Sequence, residues 1–134
     1  MNVERIREVC LSLPAASEQI QWGDNLVFKV AGKIFTIAAL AAGGLFSFKC
    51  AEETFYELTE LPGITPAPYL ARAHWVQIDP AACRLRPVEL EQLLRHSYEL
   101  VAAKLPKKTQ AKIRGKQGAG PPKHLRRKAA LESE

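Results

Sequence analysis

Basic side chains in and beside predicted strands are the residues best suited to chemistry here, and that chemistry is phosphate binding. Lys29 and Lys49 alternate with apolar residues, so they are predicted to lie on the polar face of a sheet. Lys33 is predicted at a hairpin tip, and Arg72 at a turn before Trp75, whose ring is predicted to point outward. Such groups could follow a nucleic-acid backbone and stack on a base. The alternative is a solvated sheet face with ordinary lysines and a Trp75 ring covered by a neighbouring loop.

The strongest basic signal lies near the C-terminus. Residues 1–106 contain 10 Lys+Arg and 12 Asp+Glu, a net charge of −2, and residues 107–134 contain 9 and 2, a net charge of +7, which together give the +5 of the chain. Counterion release would give the second segment affinity for any polyanion, and the alternative is a solubilising tail with no specific partner. Its candidate nucleic-acid-binding residues within the predicted domain are Lys107, Lys108, Lys112 and Arg114.

Residues typical of catalytic sites are present, but their spacing does not form a recognisable site. His96 and Ser97 are adjacent, so on a helix their side chains point about 100° apart and cannot act as a nucleophile and its base. Glu52 and Glu53 suit the start of a helix better than acid–base work. No CxxC, shared histidine spacing or phosphate-binding glycine loop occurs in the sequence. The chain is therefore expected to be non-catalytic, with no cofactor and no metal.

The stretch from Leu26 to Cys50 predicts three short strands separated by glycine-containing turns, an antiparallel meander. Strict alternation places its aromatic and aliphatic residues inward and residues such as Thr36 outward. The residues predicted to face the core, including those of the later elements, are Phe28, Val30, Phe35, Ile37, Phe46, Phe48, Val76, Ile78, Leu90, Leu94 and Val101.

Three helices are predicted around this meander. The first runs from the N-cap Asn2 to Pro14, the second follows Cys50 and stops at Pro62, and the third runs from Val88 to about Lys104. The polar residues 17–19 are interpreted as a connector, residues 69–71 as a short edge strand and residues 74–79 as a strand. The predicted fold is α+β, a two-layer α-β3-α-β2-α arrangement with a largely antiparallel five-stranded sheet.

The chain is predicted to form one domain over residues 1–114, followed by a basic flexible tail over residues 115–134, which is rich in Gly, Pro and Lys. No apolar run approaches the ~20 residues of a membrane span, so no membrane partner is expected. The N-terminus lacks a signal-peptide pattern, and the three cysteines are widely spaced. A cytoplasmic location with reduced thiols is the resulting expectation.

Several short motifs occur in a familiar order: CLSLP at 10–14, FKVAGKIF at 28–35, FKC at 48–50, HWVQID at 74–79 and SYELVAAKLPKK at 97–108. In this order and spacing they resemble the MmcQ/YjbR-like family of small bacterial proteins. The resemblance covers roughly residues 3–108 and implies a fold similar to that of type III secretion chaperones. It also implies DNA binding, since the family is commonly labelled as having a double-wing DNA-binding arrangement. It supplies no catalytic residues, and the segment from Gly115 onward lies outside the family pattern.

Two classes of function follow. The first is sequence-nonspecific DNA binding dominated by residues 107–134, with Lys29, Lys49 and Arg72 secondary. It is expected to be nonspecific because no predicted helix presents a run of Arg, Asn or Gln suited to reading base edges. The alternative is a protein-interaction or chaperone-like module with no nucleic-acid role. The sequence leaves the identity of the partner and the oligomeric state open.

Overall fold

The computed structural model describes residues 1–115, in which four helices accompany one sheet of six antiparallel strands in the order β1-β2-β3-β4-β6-β5. The two-layer α+β prediction is confirmed, although the sheet has one strand more than predicted. Apart from Gly115, the predicted tail lies outside the described residues. The elements are α1 (Val3–Leu11), β1 (Ala16–Gln21), β2 (Asn25–Val30), β3 (Lys33–Ala39), β4 (Phe46–Lys49), α2 (Glu52–Leu58), β5 (Ile64–Pro66), a 3-10 turn (Ala71–Ala73), β6 (Trp75–Ile78), α3 (Pro87–Ala102) and α4 (Lys107–Arg114).

The additional strand is β1, whose sequence was interpreted as a polar connector. It pairs antiparallel with β2 along its whole length and forms one edge of the sheet. An edge strand is only partly covered, so its residues need not alternate between apolar and polar types. Glu18 lies on the same face as the core residue Phe28 and is bound there by Arg7 of α1, through bonds of 2.9 and 2.7 Å. This ion pair joins β1 to α1, in place of the apolar contact that a core-facing residue would usually make.

The opposite edge of the sheet is β5, which lies earlier in the chain than the predicted edge strand at residues 69–71. Tyr69 has a φ of 65°, which a strand cannot accommodate, and the following residues form the 3-10 turn. The chain enters β5 through Gly63, whose φ is 77°. A Cβ at this position would lie 2.4 Å from the backbone nitrogen of Cys83, so the turn requires glycine.

A β-bulge in β3 changes which residues face the core. Phe28 pairs with Thr36, but the next residue, Lys29, pairs with Ile34, so Phe35 is an extra residue in β3. Phe35 and Thr36 are both fully buried as a result. The inward prediction for Ile37 is wrong. Ile37 pairs with Val27 and Ser47, and these three residues lie on the face of the sheet away from the helices, which we call the outer face.

The helices cover the other face of the sheet, and the core lies between the two layers. The inward predictions for Phe46 and Phe48 are confirmed, since both are buried. Phe35 contacts Tyr98 of α3 edge to face, with ring centroids 5.3 Å apart. Val101 was also predicted to be inward, but it is only partly buried against this core.

Ser97 of α3 joins β3 to β4 where their pairing stops. Phe35 and Lys49 would form the next pair after Thr36 and Phe48. Instead, the Lys49 N–H donates to Ser97 Oγ at 2.9 Å, and the Ser97 hydroxyl donates to the Phe35 carbonyl at 2.6 Å. The hydroxyl is fully buried and satisfies both backbone groups beside the bulge.

Replacing Ser97 by Ala is expected to lower the free energy of unfolding by about 1–3 kcal/mol, because two buried backbone groups lose their partner. Urea denaturation measures this change. Ser12→Ala is the matched control: its hydroxyl donates to the Val9 carbonyl, but the residue is exposed, so a change within about 0.5 kcal/mol is expected. Equal stabilities of the two variants would contradict the bridging role of Ser97.

Candidate nucleic-acid interface

The antiparallel sheet brings several basic residues to the same end of its strands. β4 ends at the same end of the sheet at which β3 and β6 begin, which places Lys33 and Lys49 there, together with the loop that carries Arg72. The opposite end carries Asp24, just before β2, and Asp79, just after β6. The strand topology therefore groups three cationic residues at one end, where Glu52 and Glu53 also follow Lys49 at the start of α2.

The last two helices extend this positive region. Lys104 follows α3 and lies near Lys49. Burial of the Lys49 ammonium lowers its pKa, and the charge of Lys104 lowers it further. α4 begins three residues later, and Gln110 fixes the turn by donating to the carbonyls of Ala103 and Leu105, at 3.2 and 2.7 Å. A cavity of about 330 Å³ lies between α4, α3 and Pro14, and the buried side chain of Ile113 is part of its lining.

We call this region the basic end, defined as Lys33, Lys49, Arg72, Lys104, Lys107, Lys108, Lys112 and Arg114. Within residues 1–115, none of these eight side chains forms an ion pair with a carboxylate. Arg5 and Arg86, by contrast, are held by carboxylates: Arg5 by Glu8 and Glu91, at 2.7 and 2.5 Å, and Arg86 by Glu89 at 3.1 Å. The basic end thus holds eight of the eleven Lys and Arg side chains in residues 1–115 that form no ion pair; the other three are Lys29, Arg84 and Arg95.

Lys49 has a structural role within the basic end. Its Nζ donates to the carbonyl of Ala73 at 2.7 Å, which ties the loop before β6 to the end of β4. The side chain is half-buried. Its charge contributes to the field of the basic end, but the ammonium is less free to follow a phosphate than those of Lys33 and Lys104, which are exposed.

Trp75 is placed differently from the expected outward stacking position. It pairs with Lys49 on the outer face, but it is only 7% exposed. The preceding loop folds back onto it: the Ala67 N–H donates to the Trp75 carbonyl at 2.9 Å, and the Trp75 N–H donates to the Leu70 carbonyl at 3.2 Å. Trp75 therefore presents no open ring face. Trp22 does not cover it, since Trp22 is 65% exposed at the opposite end of the sheet.

Tyr69 and Lys104 are the residues of this region that sequence reasoning missed. Tyr69 is fully exposed, three residues before Arg72, and its left-handed backbone lifts it out of the strand geometry predicted for it. The flanking Pro66 and Pro68 were the signal that could have indicated a loop. The place of Lys104 could not be read from the sequence, because it depends on how α3 packs across the sheet; in the structure its charge lowers the pKa of Lys49.

Lys29 flanks the basic end on the outer face of the sheet. It is one residue before the end of β2, and its Nζ donates to Gln19 Oε1 at 3.0 Å. Of the nine predicted site residues, the structure thus brings seven to the basic end, places Lys29 beside it and buries Trp75.

The two buried thiols elsewhere, Cys10 and Cys50, are not activated. Burial raises the pKa of the Cys10 thiol to about 12 and that of the Cys50 thiol to about 11, so both are protonated at neutral pH. Within residues 1–115, no three His, Cys, Asp or Glu side chains are grouped in a way that could hold a metal ion. No helix in the same part of the chain is long and apolar enough to cross a membrane.

Comparisons with known proteins agree with this architecture. A family model described as YjbR matches residues 11–100, more than half of the chain. The crystal structure of Deinococcus radiodurans protein DR2400, which carries a DUF419 domain, is 27% identical with a TM-score of 0.75, over 84% of this chain and 87% of that one. A Pseudomonas syringae protein is 20% identical with a TM-score of 0.62, over 75% and 98% of the two chains. No curated protein matched the sequence.

Proposed function

The chain belongs to the YjbR family, and from that premise we propose that it is a non-catalytic protein that binds DNA through phosphates, without sequence preference. The observation that carries the proposal is the basic end, whose eight cationic side chains form no ion pair with a carboxylate in residues 1–115. Clustered, unneutralised cations are the feature that releases counterions from a phosphate backbone.

The geometry supports phosphate contacts rather than base contacts. α3 packs against the sheet through Leu90, Leu94 and Ser97, so that face of the helix cannot enter a major groove. The exposed side chains of α4 are mainly lysines, which bind as point charges, and Gln110 is already bonded to two carbonyls of the α3–α4 turn. Phosphate contacts fix position and affinity but carry little sequence information.

The two basic segments have different roles in this proposal. Residues 107–134 carry a net charge of +7 and dominate the long-range attraction, because residues 1–106 carry −2. Lys33, Arg72 and Lys104 are exposed at the basic end and fix where the nucleic acid lies. Tyr69, fully exposed beside them, offers a ring on which an unpaired base can stack. The proposed compartment is the cytoplasm, where the free thiols remain reduced.

The full chain is expected to bind two unrelated DNA duplexes of equal length with the same affinity, because it reads phosphates and not bases. Fluorescence anisotropy at several salt concentrations measures both affinities. If Lys33, Arg72, Lys104 and the four cations of α4 each neutralise one phosphate, the logarithm of the affinity should fall by about 6.3 per log unit of salt. A strong preference for one duplex, an affinity that does not change with salt or an absence of binding would contradict the proposal.

A further inference from the structure

The two edges of the sheet are protected to different degrees. β5 has three residues, contains Pro66 and is flanked by Pro62 and Pro68. Proline lacks the N–H needed to pair with a further strand, so this edge is blocked. β1 has six residues, Ala16–Gln21, and contains no Lys, Arg or Pro. It has no lysine, arginine or proline to keep it from pairing, and its one charged residue, Glu18, is neutralised by Arg7 of α1.

We propose that β1 is an interaction edge that pairs with β1 of a second copy of this chain. The two strands would run antiparallel about a two-fold axis and join the two six-stranded sheets into one. The proposal concerns the edge opposite β5 and does not depend on DNA binding. Because the paired strands are antiparallel, the two basic ends would lie at opposite ends of the dimer, where the interface leaves them uncovered.

The side chains of β1 favour one register of this pairing. Centring the two-fold axis on Gln19 pairs Ser17 with Gln21 and Glu18 with Ile20, and uses five strand residues. Centring it on Glu18 would place two carboxylates opposite each other, which is unfavourable. Centring it on Ile20 would leave only residues 19–21 paired, because Trp22 has a φ of 50° and ends the strand.

In the Gln19 register, the outer-face side chains of one β1 lie beside the outer-face side chains of the other, and the same holds on the helix face. On the outer face, Gln19 Oε1 accepts from Lys29 Nζ and Gln21 Nε2, both at 3.0 Å, which holds the row of amides in place beside the partner's row. On the helix face, Ile20 is 63% exposed and would lie against the partner's Glu18 position. The Glu18 carboxylate is already bound by Arg7, so the incoming isoleucine would meet a neutralised side chain. The pairing therefore covers an apolar side chain without adding an unpaired charge.

A cysteine at position 19 tests the register, because the two copies of this residue would be directly opposite each other. Opposed residues of antiparallel strands have Cα atoms about 4.5–5.5 Å apart, within the range of a disulfide. Cys10 and Cys50 are buried, so only Cys83 needs replacement by Ser beforehand. Gln19→Cys in the Cys83→Ser full chain should form a disulfide-linked dimer under mild oxidation. Thr65→Cys, the matched exposed position on β5, should remain monomeric on a non-reducing gel.

Light scattering after size exclusion supplies the second readout. The unmodified chain should have the mass of a dimer, and Gln19→Glu, which opposes two carboxylates across the axis but keeps an acceptor for Lys29, should shift it to a monomer without unfolding it. A monomeric unmodified chain at the concentration used for cross-linking would overturn the proposal. Equal cross-linking through Thr65→Cys would overturn it as well, because it would show random collision. A monomer would leave β1 available to an extended segment of a different protein.

Discussion

Phe48→Ala is expected to lower the free energy of unfolding by about 3–5 kcal/mol, the cost of emptying a large aromatic site in a packed core. Phe48 is fully buried, pairs with Thr36 on one side and Val76 on the other, and has its ring centroid 6.2 Å from that of Phe46. It lies at the centre of the layer between sheet and helices, where the backbone of two neighbouring strands limits collapse of the cavity. Urea denaturation of the full chain measures the loss.

Tyr69→Ala is the matched control for this experiment, since it also replaces an aromatic ring by a methyl group. Tyr69 is fully exposed, so its loss is expected to change the stability by no more than about 0.5 kcal/mol. A change below about 1 kcal/mol for Phe48→Ala would contradict the assigned register, because a buried phenylalanine cannot be removed at so small a cost.

The sequence predicts those elements whose side chains have a clear inner and outer face. Phe28, Val30, Phe46 and Phe48 alternate with polar or smaller residues, and the structure places all four in the core. β1 was missed because an edge strand can be polar on both faces and still pair through its backbone. The bulge at Phe35 was missed for a different reason: one extra residue reverses the alternation, and no side-chain pattern in the sequence marks it.

The candidate interface was predictable in part. Once an antiparallel meander is inferred, the last residue of β4 must lie at the same end of the sheet as the first residue of β3. Lys49 and Lys33 could therefore be grouped from sequence alone. The place of Lys104 depends on how α3 packs across the sheet. The burial of Trp75 depends on a loop that folds back through two backbone hydrogen bonds, and the exposure of Tyr69 follows from the same loop. Neither contact leaves a periodic signal.

Replacing Lys33, Arg72 and Lys104 together by Gln is expected to weaken binding to duplex DNA about 100-fold at 0.15 M salt. Three lost phosphate contacts contribute together about 2.7 log units of affinity per log unit of salt. Since 0.15 M lies about 0.8 log units below a 1 M reference, the loss is about 2 log units. All three residues are exposed, so the stability of the fold should be unchanged. Lys49 is left in place, because its bond to the Ala73 carbonyl also holds the loop before β6.

The control for that variant removes the same charge from elsewhere on the domain. Arg84, Arg86 and Arg95 are exposed, lie before and within α3, and change the net charge by the same amount when replaced by Gln. If binding depended only on net charge, the two triple variants would weaken equally. If it depends on the basic end, only the first variant loses phosphate contacts.

The salt dependence of DNA binding, measured by fluorescence anisotropy for the full chain and both triple variants, tests the role of the basic end most directly. The Lys33, Arg72 and Lys104 variant should show a slope shallower by about 2.7 log units of affinity per log unit of salt, while the Arg84, Arg86 and Arg95 variant should keep the slope of the unmodified chain. Equal slopes for all three proteins, or the same reduction in both variants, would contradict the assignment of DNA binding to the basic end.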